Sequence, residues 1–397
     1  MTISTVTFQN DALDQFDTLD AQLLQTQNEL SSGSMLPNAA ANPVAMTQVN
    51  ELNQEIAASQ QYSTNGSAAN ANLELEENAL TSATNVLQSA NSLAVQANNS
   101  SLNATQLQDI ATQLQQLLGQ LISTANTTDT NGNYLFAGTA SGTQPFAQSG
   151  SSVTYSGSDE VNQVEIGPNQ FISQSDSGAA VFMNVPAGNG TFTTAAAAGN
   201  TGSASIDTGT VTDPSAWVPD TYTITFTSPT QYQVTDSQGN PVPAGSGTYT
   251  SGDAIAFDGI QVTISGTPAT GDAFTVAPAG NASVFSTLSG LITALSSGSA
   301  NSGQLTTQIG GALQQIGNAV NNLDNVQASV GARINAITAA QSSEQSSQTT
   351  MQSSVSQLSS TDYAAATTQL STEEIALQAA EESYASLSRL SLFNYIQ

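Results

Sequence analysis

The sequence predicts a multidomain α+β fold, in which long coiled-coil-like helices from both termini form a stalk and a mainly antiparallel β domain is inserted in the middle. Near both ends of the 397-residue chain, apolar residues recur at steps of three, four and seven, the spacing that places them on one helix face. In the middle, short runs such as residues 221–226 alternate between apolar and polar side chains, as half-buried strands do. Turn-forming residues separate those runs.

Changes in this patterning divide the chain into five segments. They are an N-terminal helical segment (1–42), the first half of a long helical domain (43–139), an inserted β-rich domain (140–281), the second half of the helical domain (282–360) and a C-terminal helical segment (361–397). Within the first half of the helical domain, the polar stretch at 98–106 predicts a break, with a helix cap at Asn103 or Thr105.

The inserted domain is expected to be a small sandwich or meander of four or five short strands. Residues 221–226 and 260–264 each place three apolar side chains on one face. The tract at 191–210 is rich in Thr, Ala and Gly, and its low complexity predicts a loose loop or a surface hairpin.

The terminal helices are predicted to form an assembly surface. Their apolar faces are narrow and alanine-rich, so each helix buries little alone and is best stabilised against copies of itself or against partners. This pattern favours a subunit of a tube or bundle. The residues expected at the assembly surface are Leu13, Phe16, Leu23, Leu30, Leu370, Leu377, Tyr384, Leu387, Leu392 and Phe393.

The stretch TTDTNGNYLFAGT at 127–139 is expected to be a turn that ends the long helical region. Asp129, Asn131 and Gly132 have the chemistry of a turn, because Gly tolerates positive φ and Asp and Asn bond their own backbone. Tyr134 and Phe136 are then expected to fold back as a strand against the helices. Oxygen-bearing side chains at alternate positions also suit Ca²⁺, but the distal glutamate of an EF-hand is missing, so a turn is favoured.

The charge balance excludes several classes of function. The chain has two basic residues in all (Lys and Arg together), 30 Asp and Glu and no His, which gives a formal net charge of −28. Nucleic acid and anionic membrane surfaces both require clustered cations and are therefore not expected partners. Neither a signal peptide nor a long apolar run is present in the sequence. Carboxylates lose their charge in acid, so this composition favours life in an acidic setting.

Catalytic, cofactor-binding and metal-binding residues are not predicted. The chain lacks the His, Lys and Cys side chains that most acid–base and nucleophilic chemistry uses. Two carboxylates could still form a glycosidase pair. The adjacent pairs at 76–77, 373–374 and 381–382 lie in helix-like stretches, where neighbours point about 100° apart, so they are interpreted as solvated helix faces.

Several segments resemble, in order, the flagellin superfamily, and most closely the hook-associated protein 3 family of the bacterial flagellum. They include NTTDTNGNYLFAGT, NVQASVGARINAI and the C-terminal DYAAATTQLSTEEIALQAAEESYASLSRLSLFNYI. The sequence departs from the family where basic residues usually follow the SSG turn, since Ser34 and Met35 stand there. Acidic residues usually precede the next loop proline, where this chain has Ala41 and Asn42. Arg333 falls in its expected place.

The resemblance implies a structural subunit of the hook–filament junction, outside the cell and secreted through the flagellar type III export apparatus. It implies a homo-oligomeric ring, with the first hook-associated junction protein, flagellin and an export chaperone as partners, and no cofactor. It also implies that the turn of Asp129, Asn131, Gly132, Tyr134 and Phe136 lies where the helical domain meets a projecting β domain. Filament-forming flagellin is the alternative, and a secreted glycosidase or peptidoglycan hydrolase is a third.

Overall fold

The computed structural model describes residues 5–36, 42–243, 245–297 and 302–393, and within this part the predicted helices are present at both ends of the chain. The six α-helices are α1 (Thr5–Ser32), α2 (Pro43–Ala97), α3 (Ala104–Ala125), α4 (Val284–Ser296), α5 (Ser302–Ser359) and α6 (Tyr363–Phe393). The predicted break between α2 and α3 is confirmed. Asn103 caps α3 by accepting from Gln106 N at 2.9 Å, while Gln106 Oε1 accepts from Asn103 N at 3.0 Å.

The middle of the chain forms short strands, all paired antiparallel. They are β1 (Phe146–Ser149), β2 (Ser152–Tyr155), β3 (Gln163–Gly167), β4 (Gln170–Ser173), β5 (Val185–Pro186), β6 (Phe192–Ala196), β7 (Ser205–Ile206), β8 (Thr210–Val211), β9 (Tyr222–Ser228), β10 (Gln231–Thr235), β11 (Gly247–Thr248), β12 (Ala254–Phe257), β13 (Ile260–Ser265), β14 (Ala273–Pro278) and β15 (Asn281–Ala282). This is more than the four or five strands that the sequence predicted.

Two sheets build the core of the inserted β region. One has the strand order β11-β10-β9-β14-β6, and the other has β12-β13-β7 with β8 also paired to β13. Alternation along β9 buries Tyr222, Ile224 and Phe226, and alternation along β13 buries Ile260 and its two apolar neighbours. All of these side chains belong to one apolar cluster, so the two sheets pack face to face as a sandwich.

The prediction of a loose loop or surface hairpin at 191–210 is wrong. This tract contributes β6 to the edge of the five-stranded sheet and β7 to the second sheet. The side chain of Phe192 is fully buried in the sandwich core, and Asn189 Oδ1 accepts from its backbone N at 2.9 Å. A single aromatic anchor therefore orders a sequence that is otherwise too simple to show a strand period.

The chain divides into two compact units. The first comprises Met1–Thr64 and Ala340–Gln397, and in it α1 packs against α6 while the start of α2 runs beside the end of α5. The α2–α5 contact is polar: the Ser59 hydroxyl donates to Glu344 Oε2 at 2.5 Å and accepts from Gln348 Nε2 at 3.0 Å.

The second unit comprises Asn65–Ala339 and contains the sandwich, the two hairpins β1–β2 and β3–β4, and the remaining helices. Helix α3 packs its apolar face against α4. The chain enters the sandwich through β5 and leaves it through β15, and these two short strands pair with each other. Both connections of the inserted sheets therefore lie side by side.

Candidate functional site

The predicted assembly surface lies on α1 and α6 of the first unit. Phe16 and Tyr384 are brought together, with ring centroids 5.7 Å apart and planes at 83°, the edge-to-face arrangement that aromatic pairs favour. Both rings remain half-buried, as do the predicted side chains of Leu23, Leu30 and Leu377. Leu370 has the same intermediate exposure. Packing between α1 and α6 alone therefore leaves part of each side chain accessible.

Three large apolar side chains on these helices are mostly exposed. They are Leu13 at 52 %, Leu24 at 57 % and Ile375 at 66 %. Only Leu13 was predicted, because Leu24 and Ile375 fall outside the seven-residue repeat. An apolar residue off the repeat in an otherwise polar helix was the available signal. The predicted residues Leu387, Leu392 and Phe393 lie on α6, but their side chains are outside the described part of the chain.

Hydrogen bonds hold the end of α1 against the start of α6. Ser34 and Ser360 form an antiparallel bridge, and the Thr361 hydroxyl donates to Glu29 O at 3.2 Å. Gly33 has φ +68°, and a Cβ built there would lie 2.8 Å from the Tyr363 hydroxyl. The glycine of the SSG turn is thus required by conformation and by close approach.

The turn at 129–133 forms as predicted. Asp129 Oδ1 accepts from the backbone N of Asn131 and of Asn133, both at 2.8 Å, and Gly132 takes φ +84°. Partial burial raises the pKa of the Asp129 carboxyl, but hydrogen bonds from Asn133 and Asn131 outweigh it and lower the pKa overall. Residues 236–240 (DSQGN) repeat this turn with the same bonds. The Asp129 carboxylate oxygens already accept from backbone and amide donors of Asn131 and Asn133, which supports the turn over the calcium interpretation.

The predicted strand after this turn is wrong. Residues Leu135–Ala137 form a 3₁₀ turn, with Tyr134 bridged to Thr128. Phe136 is fully buried and meets the ring of Phe182 edge-on, with centroids 5.3 Å apart. Gly138, at φ +61°, has no space for a side chain, because a Cβ would lie 2.2 Å from Ser158 O. The turn is therefore an anchor that buries an aromatic ring, and alternation was not its relevant pattern.

Asparagines fix the backbone around this anchor, and sequence reasoning missed them. Asn126 pairs with Phe146 in both directions, donating to its O at 2.9 Å and accepting from its N at 3.0 Å. On α5, the Asn318 amide donates to Pro186 O at 2.9 Å, and the Asn322 amide donates to Val181 O at 2.9 Å. The spacing of four residues between the two α5 asparagines was the available signal.

The interpretation of the Glu76–Glu77 pair as a solvated face is wrong for Glu76. Glu76 on α2 is completely buried, whereas Glu77 is exposed. Its Oε1 accepts from the backbone N of Asp176 at 3.0 Å, and Arg333 on α5 forms an ion pair with Asp176. Burial and, secondly, the Asp176 charge raise the pKa of Glu76 to about 8, although Arg333 acts in the opposite direction. Sequence could not show this burial, because it depends on a residue 100 positions away.

The solvated-face interpretation is also wrong for Glu373, which is buried with 8 % of its surface exposed. Gln369 Nε2 donates to its Oε1 at 2.9 Å. Its neighbour Glu374 is exposed, and so are Glu381 and Glu382, in agreement with the solvated-face interpretation.

In the described ranges, no group of three or more His, Cys, Asp or Glu is placed to hold a metal ion. A groove of about 770 Å³ beside α4 is lined by Ser, Thr, Ala, Gly, Gln, Val and Met, without a carboxylate. Among these same residues, no helix is both long and apolar enough to cross a membrane.

Three family models match the chain, in an order that follows its architecture. "Bacterial flagellin N-terminal helical region" matches residues 3–141, and "Bacterial flagellin C-terminal helical region" matches residues 313–396. Between them, "Flagellar hook-associated protein 1, D2-like domain" matches residues 195–278, which hold the sandwich.

Solved structures extend this similarity over most of the chain. The crystal structure of FlgL from Xanthomonas campestris is 34 % identical, covers 77 % of this chain and 99 % of its own, and gives a TM-score of 0.72. Flagellar hook-associated protein 3 from Legionella pneumophila is 32 % identical, covers 78 % and 98 %, and gives 0.73. The curated flagellar hook-associated protein 3 of Escherichia coli is 27 % identical over 32 % of this chain, and the match spans 40 % of that relative's length.

Proposed function

Because the chain belongs to the flagellar hook-associated protein 3 family, we propose that it is a structural subunit of the hook–filament junction of the bacterial flagellum. In this role it links the hook-side junction protein to the flagellin filament. The observation that carries the proposal is the 34 % identity over 99 % of the Xanthomonas FlgL chain. The family models for the two terminal helical regions match residues 3–141 and 313–396, which include most of the parts predicted to assemble.

The terminal helices supply the proposed assembly surface. Copies of the chain form a ring in which the exposed Leu13, Leu24 and Ile375 are covered by neighbouring subunits. The half-buried Leu377 and Tyr384 lie at the edge of this contact. Covering apolar area stabilises association by about 25 cal/mol per Å². Because a chain with two basic residues can form few salt bridges between its copies, apolar contacts and hydrogen bonds must supply most of the affinity.

The five predicted segments, with boundaries at 42, 139, 281 and 360, are the proposed domains of the assembled subunit. The helical domain carries the β domain outward, and the turn containing Asp129, Asn131, Gly132, Tyr134 and Phe136 lies at their junction. Burial of Phe136 is proposed to hold that junction rigid. Secretion through the flagellar export apparatus, an export chaperone and an extracellular location follow from the same role. Enzymatic activity is not part of it.

Filament-forming flagellin remains the second candidate, because both terminal family models are described as flagellin regions. The model matching the sandwich is instead a hook-associated protein domain. A junction protein occupies one position on a flagellum, whereas a filament subunit occupies its whole length.

Immunogold labelling of intact flagella separates these two functions. Antibodies raised against the sandwich (residues 187–280) should mark one site per flagellum, where the hook meets the filament. Continuous labelling along the filament would establish the flagellin alternative and overturn the proposal. A strain lacking the protein serves as the control, and it should shed or fail to retain its filaments.

A further inference from the structure

A charged cluster that contains the buried Glu76 and a partly exposed ion pair joins three distant parts of the second unit. Glu76 lies on α2, Arg333 lies on α5, and Asp176 lies in the segment between β4 and the short helical turn Ala179–Met183. The Arg333 guanidinium pairs with Asp176 Oδ2 and donates to the carbonyl oxygens of Ser173 and Ser175 at 3.3 and 3.4 Å. This cation therefore binds two backbone carbonyls and one carboxylate of the segment.

The cluster has one more acid than base. Among the described residues, the charged groups that act on Glu76 are Asp176, from the segment after β4, and Arg333, from α5. The other acids nearby on α2, Glu74 and Glu77, are exposed. Two carboxylates against one guanidinium would leave a net charge of −1 inside the protein, which is costly in a low-dielectric interior.

One carboxyl oxygen of Glu76 lacks a hydrogen-bond donor, and a proton bound to Glu76 would supply one. Glu76 Oε1 accepts from the Asp176 backbone, but Glu76 Oε2 is buried and has no hydrogen-bond partner among the described residues. Asp176 contacts Glu76 through its backbone N, and its negative charge raises the pKa of the Glu76 carboxyl. A proton on Glu76 gives this oxygen a donor and makes the whole cluster neutral.

We propose that Glu76 and Asp176 share one proton beside Arg333, and that this proton-binding site clamps the segment at 173–178 onto α2 and α5 and loosens it when the proton is lost. The clamp is most stable in acid and weakens progressively as the pH rises from about 4.5 to about 8. It does not depend on the proposed place of the protein in the flagellum. The clamp would adapt the helical domain to the acidic conditions that the composition favours.

The direction follows from linkage. The closed form holds the Glu76 proton with a pKa of about 8, against 4.5 for an exposed glutamate. Opening therefore releases a proton between these values, so its equilibrium constant rises about tenfold for each pH unit in that window. Below the window both forms are protonated, and above it neither is.

Hydrogen exchange of the full-length protein measures this opening. Exchange rates of peptides covering residues 174–183, corrected for the intrinsic pH dependence of exchange, should show opening that rises about tenfold per pH unit between pH 5 and 8. In Glu76→Gln, which keeps the acceptor oxygen but carries no titrating proton, the corrected opening should be independent of pH. Glu77→Gln, the matched change on the exposed neighbour, should behave as wild type.

A corrected opening that is flat in the wild type, or an equal rise in Glu76→Gln, would overturn the proposal. Carbon-13 NMR titration of the wild-type carboxyl groups gives an independent result if the Gln variant fails to fold. Glu76 should then titrate near 8, and titration near 4.5 would contradict the shared proton.

Discussion

Replacing Leu377 by Asp should prevent incorporation of the protein into the flagellum while leaving the second unit folded. Leu377 is half-buried on α6, so the change removes roughly 1 kcal/mol of apolar burial within the subunit, about half of what full burial of leucine provides. Asp is also a poorer helix former than Leu by about 0.5 kcal/mol. Glu373, one turn earlier, adds like-charge repulsion of about 0.2–0.5 kcal/mol.

Together these effects amount to about 2 kcal/mol per subunit, which corresponds to a roughly 30-fold smaller equilibrium constant for forming the packed α6 helix. The loss is repeated at every subunit of a ring, so the assembled state should suffer more than the monomer. The proposed neighbouring subunit would also meet a new buried charge without a cation to pair with it. We therefore expect an exported, soluble variant that is absent from isolated flagella.

The assay compares immunolabelling of flagella with the amount of protein in the culture medium. Gln378→Asp is the matched control, because it adds the same charge to the exposed face one residue away. Circular dichroism of the purified variants reports whether the helices survive. Normal incorporation of Leu377→Asp, or equal failure of Gln378→Asp, would refute the assignment of this face to assembly.

Other substitutions test the packing and the junction. Phe226→Ala removes a fully buried ring that contacts three aromatic neighbours and should lower the free energy of unfolding by about 3–5 kcal/mol in urea titrations. Asn126→Ala removes the partner of the Phe146 backbone N and leaves its O with Gln144 Nε2 alone, and it should cost about 1–3 kcal/mol in the same assay. Asp129 has a lowered pKa, so its stabilisation is present above its ordinary value of 3.8 and lost as pH falls through the folded value. Wild type and Asp129→Asn should therefore converge in thermal stability between pH 6 and pH 2.

Each of these changes has a control on an exposed site. Phe171→Ala removes the same ring from a position that is 62 % exposed and should cost little, and a loss equal to that of Phe226→Ala would contradict the core assignment. Asn85→Ala, on the surface of α2, should be nearly neutral beside Asn126→Ala. Asp109→Asn makes the matched change at an exposed position of α3, and a Tm difference for Asp129→Asn that stays constant with pH would exclude the turn as its source.

The helices could be predicted because their signal is local. Apolar residues recur every three or four positions along α1, α3, α4 and α6. The cap at Asn103 depends only on Gln106, three residues away. The inner strands β9 and β13 were equally clear, since their alternation coincides with burial on one side. The tract at 191–210 has no such period, and packing of Phe192, Ala204 and Ile206 against distant strands orders it.

The features that could not be predicted depend on contacts between distant residues. The burial of Glu76 requires Asp176 and Arg333, from segments that meet only in the folded chain. Residues Leu135–Ala137 form a 3₁₀ turn because Phe136 enters an aromatic cluster and Gly138, which follows the turn, lies against the Ser158 carbonyl. Helical periodicity predicted Leu13 of the proposed assembly surface, but Leu24 and Ile375 lie off the repeat and were identified only from their exposure.

The number of copies per flagellum tests the central claim most directly. Quantitative mass spectrometry of purified flagella, sheared to several mean filament lengths from the distal end, would give the amount of this protein relative to a hook subunit. A junction protein should be present at a small, fixed ratio to the hook that does not change with filament length. A copy number that rises in proportion to filament length would contradict the junction assignment and identify the protein as a filament subunit.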